Sequence, residues 1–373
     1  MKFTVNRNDI QNVMARIQGL TSRKSNLAIT SSVLIQTAEN GIKITATDLE
    51  TGFEGFYMAD VEKEGKLAIN SKKFYEITRD FPNETILINE IQNHWIEIGN
   101  KNVEYHIVGM DSEEFPNFPV IENVPFFEMD AVILKKMIEK TVIITGAGDE
   151  KRAHIIGVYF DIIHNDDEKI IRLVSTDGNR MSTAECIMDD VVELPDERGF
   201  IIPKKGLVEL GKFMDYQGRV KVGFKENHFV MQKDGETLVI RLLDGAFPKY
   251  QDIIKSKEQG NVIHFNKQSL LMMLKRMSIL SSEDYRGVVF NFLADKLLIH
   301  SANPDIGESK EEMEIEYKGN PIEAVFNPRY FIESLNCIEN ETIDLNIINE
   351  EKPCYLEGSE NKNYLSIIMP MRL

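Results

Sequence analysis

The 373 residues carry 43 Lys and Arg against 60 Asp and Glu, a formal net charge of −17. A charge this acidic argues against a general counterion-releasing grip on nucleic acid, which needs a basic footprint. No apolar run reaches the roughly 18 residues that span a bilayer, and three scattered cysteines give neither a disulfide framework nor a CxxC metal pair.

The chain opens on MKFTVNRNDI, which lacks the apolar stretch of a secretory segment, so a cytoplasmic location is expected. Phe3 and Val5 alternate as in a strand, and Ile10, Val13, Met14 and Ile17 then follow at helical spacing, predicting a helix over 8–19. Asn40-Gly41 predicts a hairpin before the alternating Ile42, Ile44 and Ala46, because that pair accepts the positive φ of tight turns. INSKKFYE at Ile69–Glu76 starts a second helix over 71–81 that buries Phe74 and Phe81. Phe115-Pro116 is expected to close a strand.

The same series then returns twice. Phe127 and Met129 precede Leu134, Met137 and Ile138, predicting a helix over 130–143. Thr145–Glu150 is too short for a dinucleotide or phosphate fingerprint, and Asp161–Glu168 lacks calcium-loop spacing and suits a solvated hairpin tip. IPKKGLVE at Ile202–Glu209 predicts a helix over 203–214 with Pro203 at its start. Asp234-Gly235 marks another hairpin, and Phe247-Pro248 another strand end. In the last third, Ile263 and Phe265 precede Leu270, Met273, Leu274 and Met277, predicting a helix over 266–279. FNPRYFIE at Phe326–Glu333 predicts one over 327–338, and Met369-Pro370 ends the final strand.

Three copies of one unit follow from this repetition. The expected fold is α+β, with domains at 1–124, 125–256 and 257–373, each holding two helices and antiparallel sheet. Asp48 and Asp177 occupy corresponding positions in the first two copies, with Asn303 in the third, which suits a turn-shaping role rather than metal binding or catalysis. No nucleophile, base and orienter can be assembled, so no enzyme, cofactor or metal is expected. The six helical windows hold 14 Lys and Arg against 7 Asp and Glu, so the rest of the chain is strongly acidic. Basic residues decorate many helices, yet Glu forms helices equally well and is scarce here. Positive helices on an acidic body make a local attractive field without general stickiness.

Eight stretches in order carry a resemblance: MKFTV, ATDLE at Ala46–Glu50, EFPNFP at Glu114–Pro119, STDGNRM at Ser175–Met181, IIPKKGLVEL at Ile201–Leu210, DGAFPKYQDII at Asp244–Ile254, FNPRY at Phe326–Tyr330 and the terminal MPMRL. Over its whole length the chain resembles the bacterial DNA polymerase III beta subunit, the sliding-clamp family. The resemblance implies three DNA-clamp domains and a head-to-tail homodimer closed into a ring. Duplex DNA would thread the ring without sequence preference, and chemistry would belong to the polymerase it tethers. Twelve helices at roughly 10 Å each would line an opening of about 30 Å, against about 20 Å for a duplex.

The resemblance implies a dimer interface of Lys73, Tyr105, Ile107, Ile279 and Leu280. It implies DNA-facing Arg23, Lys24, Lys72, Lys136, Lys204, Lys205 and Lys275. It places a partner groove at Ile155, Thr176, Gly178, Arg180, Met181, Pro248, Ile253, Ile367, Ile368, Met369, Pro370, Met371, Arg372 and Leu373. Implied partners are the polymerase alpha subunit, the clamp-loader delta subunit, translesion and repair polymerases, mismatch-repair proteins and ligase, all through short peptide motifs, and no membrane. The methionines suit a surface that takes many partners one at a time. Asn179, Ala28 and Lys255 depart from the family's usual His, Pro and Pro; only Asn179 bears on the groove. Competing expectations are a direct DNA-binding regulator and an enzyme without a linear motif.

Overall fold

The computed structural model describes residues 1–21, 27–119, 121–144, 152–165, 168–188, 199–214, 217–280 and 287–371. The first series runs β1 (Lys2–Asn6), α1 (Arg7–Thr21), β2 (Ser32–Ala38), β3 (Gly41–Thr47), β4 (Thr51–Lys63), β5 (Lys66–Asn70), α2 (Ser71–Asp80), β6 (Thr85–Glu90), β7 (Trp95–Gly99) and β8 (Glu104–Val108). The second runs β9 (Phe126–Asp130), α3 (Ala131–Val142), a short α4 (Ala153–Ile156), β10 (Gly157–Asn165), β11 (Glu168–Thr176), β12 (Arg180–Met188), β13 (Phe200–Pro203), α5 (Lys204–Gly211), β14 (Arg219–Lys225), β15 (His228–Lys233) and β16 (Glu236–Arg241). The third runs α6 (Gln251–Lys255), β17 (Asn261–Asn266), α7 (Lys267–Met277), β18 (Val288–Leu293), β19 (Lys296–Asn303), β20 (Gly307–Glu314), β21 (Ile322–Phe326), α8 (Pro328–Cys337), β22 (Thr342–Ile347), β23 (Cys354–Gly358) and β24 (Tyr364–Ile368).

Each long helix begins where a strand ends, and the joint is chemically specified. Asn6, Asn70, Asp130, Asn266 and Asn327 accept backbone N–H bonds from the first turns of α1, α2, α3, α7 and α8. A short side-chain oxygen there satisfies donors that the helix itself cannot. The predicted apolar stripes are the buried faces: Ile10, Val13, Met14 and Ile17 on α1, and Leu270, Met273, Leu274 and Met277 on α7.

The chain forms two compact units, one of residues 1–134, 190–197 and 205–242, the other of 135–189, 198–204 and 243–373. In the first, one antiparallel sheet runs β8-β7-β6-β1-β4-β16-β15-β14-β9, with β2, β3 and β5 branching from β4. In the second, an eight-stranded sheet runs β13-β10-β11-β12-β24-β23-β22-β17, beside a four-stranded β20-β19-β18-β21. The central series therefore divides by its sheets, because each half hydrogen-bonds to a neighbouring series.

Two local expectations need correction. The first hairpin pairs Ala38 with Gly41, so its loop is Glu39-Asn40 and only Asn40 takes positive φ, at 60°. Gly41 lies in the strand, where a Cβ would meet the Tyr57 carbonyl at 2.4 Å. Asp234-Gly235 does form a two-residue loop, with φ of 49° and 81° between the paired Lys233 and Glu236. Nor do strands run to Phe115-Pro116, Phe247-Pro248 or Met369-Pro370: β8, β16 and β24 stop at Val108, Arg241 and Ile368. Phe115 is held by burial against Ile29 and Ala68 instead. Asp161–Glu168 falls on the β10–β11 hairpin, paired as far as Asn165 and Glu168, while residues 145–150 lie outside the described residues.

Candidate functional site

The joints between successive series repeat one rule. The fourth strand of the first series, β4, pairs with the last strand of the second, β16, placing Phe53 opposite Leu238. The fourth strand of the second, β12, pairs with the last of the third, β24, placing Ser182 opposite Ser366. Among the described residues, β20 and β8 are the members of this pattern without such a partner, and both end their sheets.

Each joint is reinforced by an arginine. In the first unit, Arg16 forms a two-pronged ion pair with Glu236, which also accepts a 2.6 Å bond from the Tyr57 hydroxyl. Burial, and then Glu236, push that phenol's pKa up and keep it protonated. In the second unit, Arg180 donates to Asp177 at 3.0 Å and to Glu333, and its guanidinium lies 4.2 Å above Tyr330. Lys204 has its pKa lowered by burial and by Arg180.

Beside the second joint lies an apolar cluster. Val174, Met181, Tyr250, Tyr355, Leu365 and Ile367 are buried together, with Tyr159, Phe247, Ile254 and Ile348 packed against them. Met181 and Ile367 are direct cross-strand partners. The Tyr159 and Phe247 rings stack at 4.7 Å. Tyr250 donates to Asp161 at 2.6 Å, and Tyr355 donates to the Ile253 carbonyl at 2.9 Å. Each phenol thus meets its polar demand at the edge and leaves an apolar body inside. Ile253, Met369 and Met371 remain 41%, 40% and 37% exposed, and Pro248 is exposed too. The tail is pinned by bonds from Met369 N to Asn179 O and from Met371 N to Val325 O.

The structure thus brings Met181 and Ile367 into one cluster and ties Ile253 and Met369 to its neighbours. Ile155 is buried on α4, and Pro370 is half-buried. Thr176 and Gly178 shape the preceding turn, where the Thr176 hydroxyl accepts from Gly178 N. Arg180 is engaged within the chain rather than held open for a ligand. Ile368 points the other way, into the core beneath α7 and α8, as alternation along a strand requires. Arg372 and Leu373 lie outside the described residues. Sequence reasoning missed Tyr159, Val174, Phe247, Tyr250, Ile254, Ile348, Tyr355 and Leu365 as members of this cluster. The signal available was the aromatic pair in FPKY, set in an otherwise polar connection.

Three family models match in order: the DNA polymerase III beta subunit N-terminal domain over 1–119, its central domain over 128–249 and its C-terminal domain over 254–372. The chain belongs to the DNA polymerase III beta subunit family. Beta sliding clamps of Chlamydia pneumoniae and Pseudomonas putida are 27% and 26% identical to it, aligned over 100% of this chain and 99% and 100% of theirs. A putative DNA polymerase III beta subunit from Eubacterium rectale superposes with a TM-score of 0.91 at 25% identity, covering both chains fully. A Bartonella birtlesii sliding clamp bound to griselimycin does so with a TM-score of 0.92, also at 25% identity and full coverage of both.

With this beta-subunit family in view, the aspartates at corresponding turns are structural. Asp48 accepts from Glu50 N and Thr51 N, Asp177 from Asn179 N and Arg180 N, and Asn303 from Asp305 N. The helical lysines differ in freedom. Lys72 and Lys275 are exposed, Lys136 pairs with Glu339 at 3.2 Å, and Lys205 pairs with Asp48 at 2.6 Å. Arg23 and Lys24 lie outside the described residues. At the unpaired edges, Tyr105 is exposed and Ile107 half-buried on β8, while Ile279 is 75% exposed. Ile279 and Leu280 belong to a single turn (278–280) packed against β19 and β20. Lys73 is exposed and pairs with Glu76 at 2.9 Å.

Proposed function

We propose that two copies close head to tail into a ring around duplex DNA, and that the ring tethers the replicative polymerase without itself catalysing a reaction. The protein is a processivity clamp: its grip on DNA is topological. One observation carries the closure. The pairing rule at the two joints within the chain leaves β20 and β8 over, and a second copy supplies each with the partner the rule requires. Such an interface is heterologous, yet two copies complete the ring and growth stops. The apolar Tyr105 and Ile107 on β8, and Ile279 and Leu280 in the turn packed against β20, support the same reading, in which Lys73 would also lie at the seam.

Three clamp domains near 1–124, 125–256 and 257–373 would present their helices to the hole. Lys72, Lys136, Lys204, Lys205 and Lys275, with Arg23 and Lys24, would meet phosphate there. Exposed ion pairs such as Lys136–Glu339 contribute little, so exchanging a carboxylate for a phosphate costs little. The cluster around Met181, Tyr250 and Ile367 would receive a short peptide with a large apolar anchor. The polymerase alpha subunit, the clamp-loader delta subunit, translesion and repair polymerases, mismatch-repair proteins and ligase would bring such peptides. No helix among the described residues is long and apolar enough to cross a membrane, and work on chromosomal DNA would put the protein in the cytoplasm.

A direct DNA binder would hold short linear duplex unaided, at about 10⁻⁴–10⁻⁶ M without sequence preference or tighter at a specific site. The expected result is no measurable binding to a short linear duplex at physiological salt in the absence of a loader. Submicromolar binding there would replace the clamp reading with direct recognition.

A further inference from the structure

The series correspond residue by residue, and that fixes more than which edges meet. In each, an amide near the end of the last strand reaches the same place on the fifth: Met110 N to Ala68 O, Leu243 N to Ile201 O and Met371 N to Val325 O. Met110, Leu243 and Met371 are therefore equivalent. Phe53, Ser182 and Ser309 are equivalent as well, since they pair with Ala46, Ser175 and Ser301, each two residues before the turn residue Asp48, Asp177 or Asn303. Both internal joints set this fourth-strand residue opposite the residue five before the anchor: Phe53 with Leu238, Ser182 with Ser366. The third joint then sets Ser309 opposite Tyr105 of the partner subunit. Antiparallel pairing carries the register outward, with Glu308 facing His106 and Lys310 facing Glu104.

The internal joints hold no opposed charges at these steps. Gly52 faces Val239 and Met181 faces Ile367 at one step, Glu54 faces Thr237 and Thr183 faces Leu365 at the other. Only the joint between copies brings an imidazole to a carboxylate and an ammonium to a carboxylate. We propose that His106 and Glu308 form a proton-dependent latch on the ring, so that protonation of His106 tightens closure. The inference rests on the head-to-tail reading above.

Three of the four charged groups facing His106 are carboxylates. On its own strand Glu104 lies 3.1 Å away, and on β7 Glu97 stands directly opposite. The second copy adds Glu308 directly across and Lys310 on the diagonal, opposite Glu104. Directly opposed cross-strand side chains lie about 5 Å apart and diagonal ones about 7–8 Å, so the carboxylate outweighs the ammonium. A protonated imidazole gains an attraction on closure and a neutral one does not. Association therefore takes up protons, and the dimer tightens as pH falls across the range in which histidine titrates.

Subunit exchange between fluorescently labelled copies of the full chain, measured at about pH 6 and about pH 8, tests the latch. Two seams, each shifting affinity about 1.4- to 5-fold, give a dimer dissociation constant about 2- to 25-fold lower at the acid end. His106→Gln should remove that dependence, as should Glu308→Gln. A wild-type constant that stays flat, or a dependence that survives in His106→Gln, overturns the latch. The register is checked separately by Ser309→Cys with Tyr105→Cys, which should give an intersubunit disulfide, while Ser309→Cys with His106→Cys, on opposite faces, should not. A dimer in which neither pair crosslinks would overturn the head-to-tail reading itself. A correct crosslink with no pH dependence would overturn only the latch.

Discussion

Ile253→Asp combined with removal of residues 369–373 should weaken binding of a short peptide with a large apolar anchor by about 30- to 1,000-fold, the range of a lost hot spot. The cost should fall on binding rather than folding. Ile253, Met369 and Met371 are each more than a third exposed, so removing them leaves little core unpacked. The tail contributes two backbone bonds, to Asn179 and Val325, each a net of about 1 kcal/mol. Met181, Tyr250, Tyr355 and Ile367 would remain as a floor without its upper wall. Fluorescence anisotropy of a labelled peptide reads the affinity, and sedimentation should show the dimer unchanged. Equal affinity in the two proteins would remove the groove assignment.

His106→Pro should convert the dimer to monomer, with a dissociation constant raised at least about a hundredfold, near the 3 kcal/mol by which proline breaks regular structure. Met369 N and Arg241 N donate across the internal joints, to Asn179 O and Glu50 O. Val108 is the equivalent residue on β8, so its N–H and those of His106 and Glu104, at alternate positions, face the open edge. Gly109 N, by contrast, bonds back to His94 O. A proline at His106 therefore removes a donor and adds bulk on the side meant for the partner, while the β7–β8 ladder keeps its own bonds. Native mass and the melting curve together decide it. A folded protein that still dimerises would show that β8 is not the closing edge.

Local chemistry was legible in the sequence, and long-range pairing was not. The stripe Ile10, Val13, Met14 and Ile17 and its two later copies named helix faces correctly, because a 3.6-residue period is written within a single turn or two. The Asn and Asp caps were equally readable in principle, since each precedes a helix by one residue. Proline misled at Phe115-Pro116 and Phe247-Pro248. It cannot join a ladder, but these segments are fixed by side-chain burial, of Phe115 on Ile29 and Ala68 and of Phe247 on Tyr159. Nothing local says that β4 pairs with β16, more than 180 residues away. The division of the central series between two sheets could not have been read for the same reason. At the apolar cluster, alternation alone separates Ile367 from Ile368. The Arg180 pairing with Glu333 spans 153 residues and carries no sequence signature.

Ring closure on DNA is the claim on which the rest depends, and retention on a nicked circle tests it most directly. Protein loaded with a clamp loader and ATP should stay on the circle through a salt wash that strips phosphate-held proteins. It should leave when a single cut makes the DNA linear. Retention that is the same on circle and cut DNA would mean that direct contacts hold the protein, contradicting the ring.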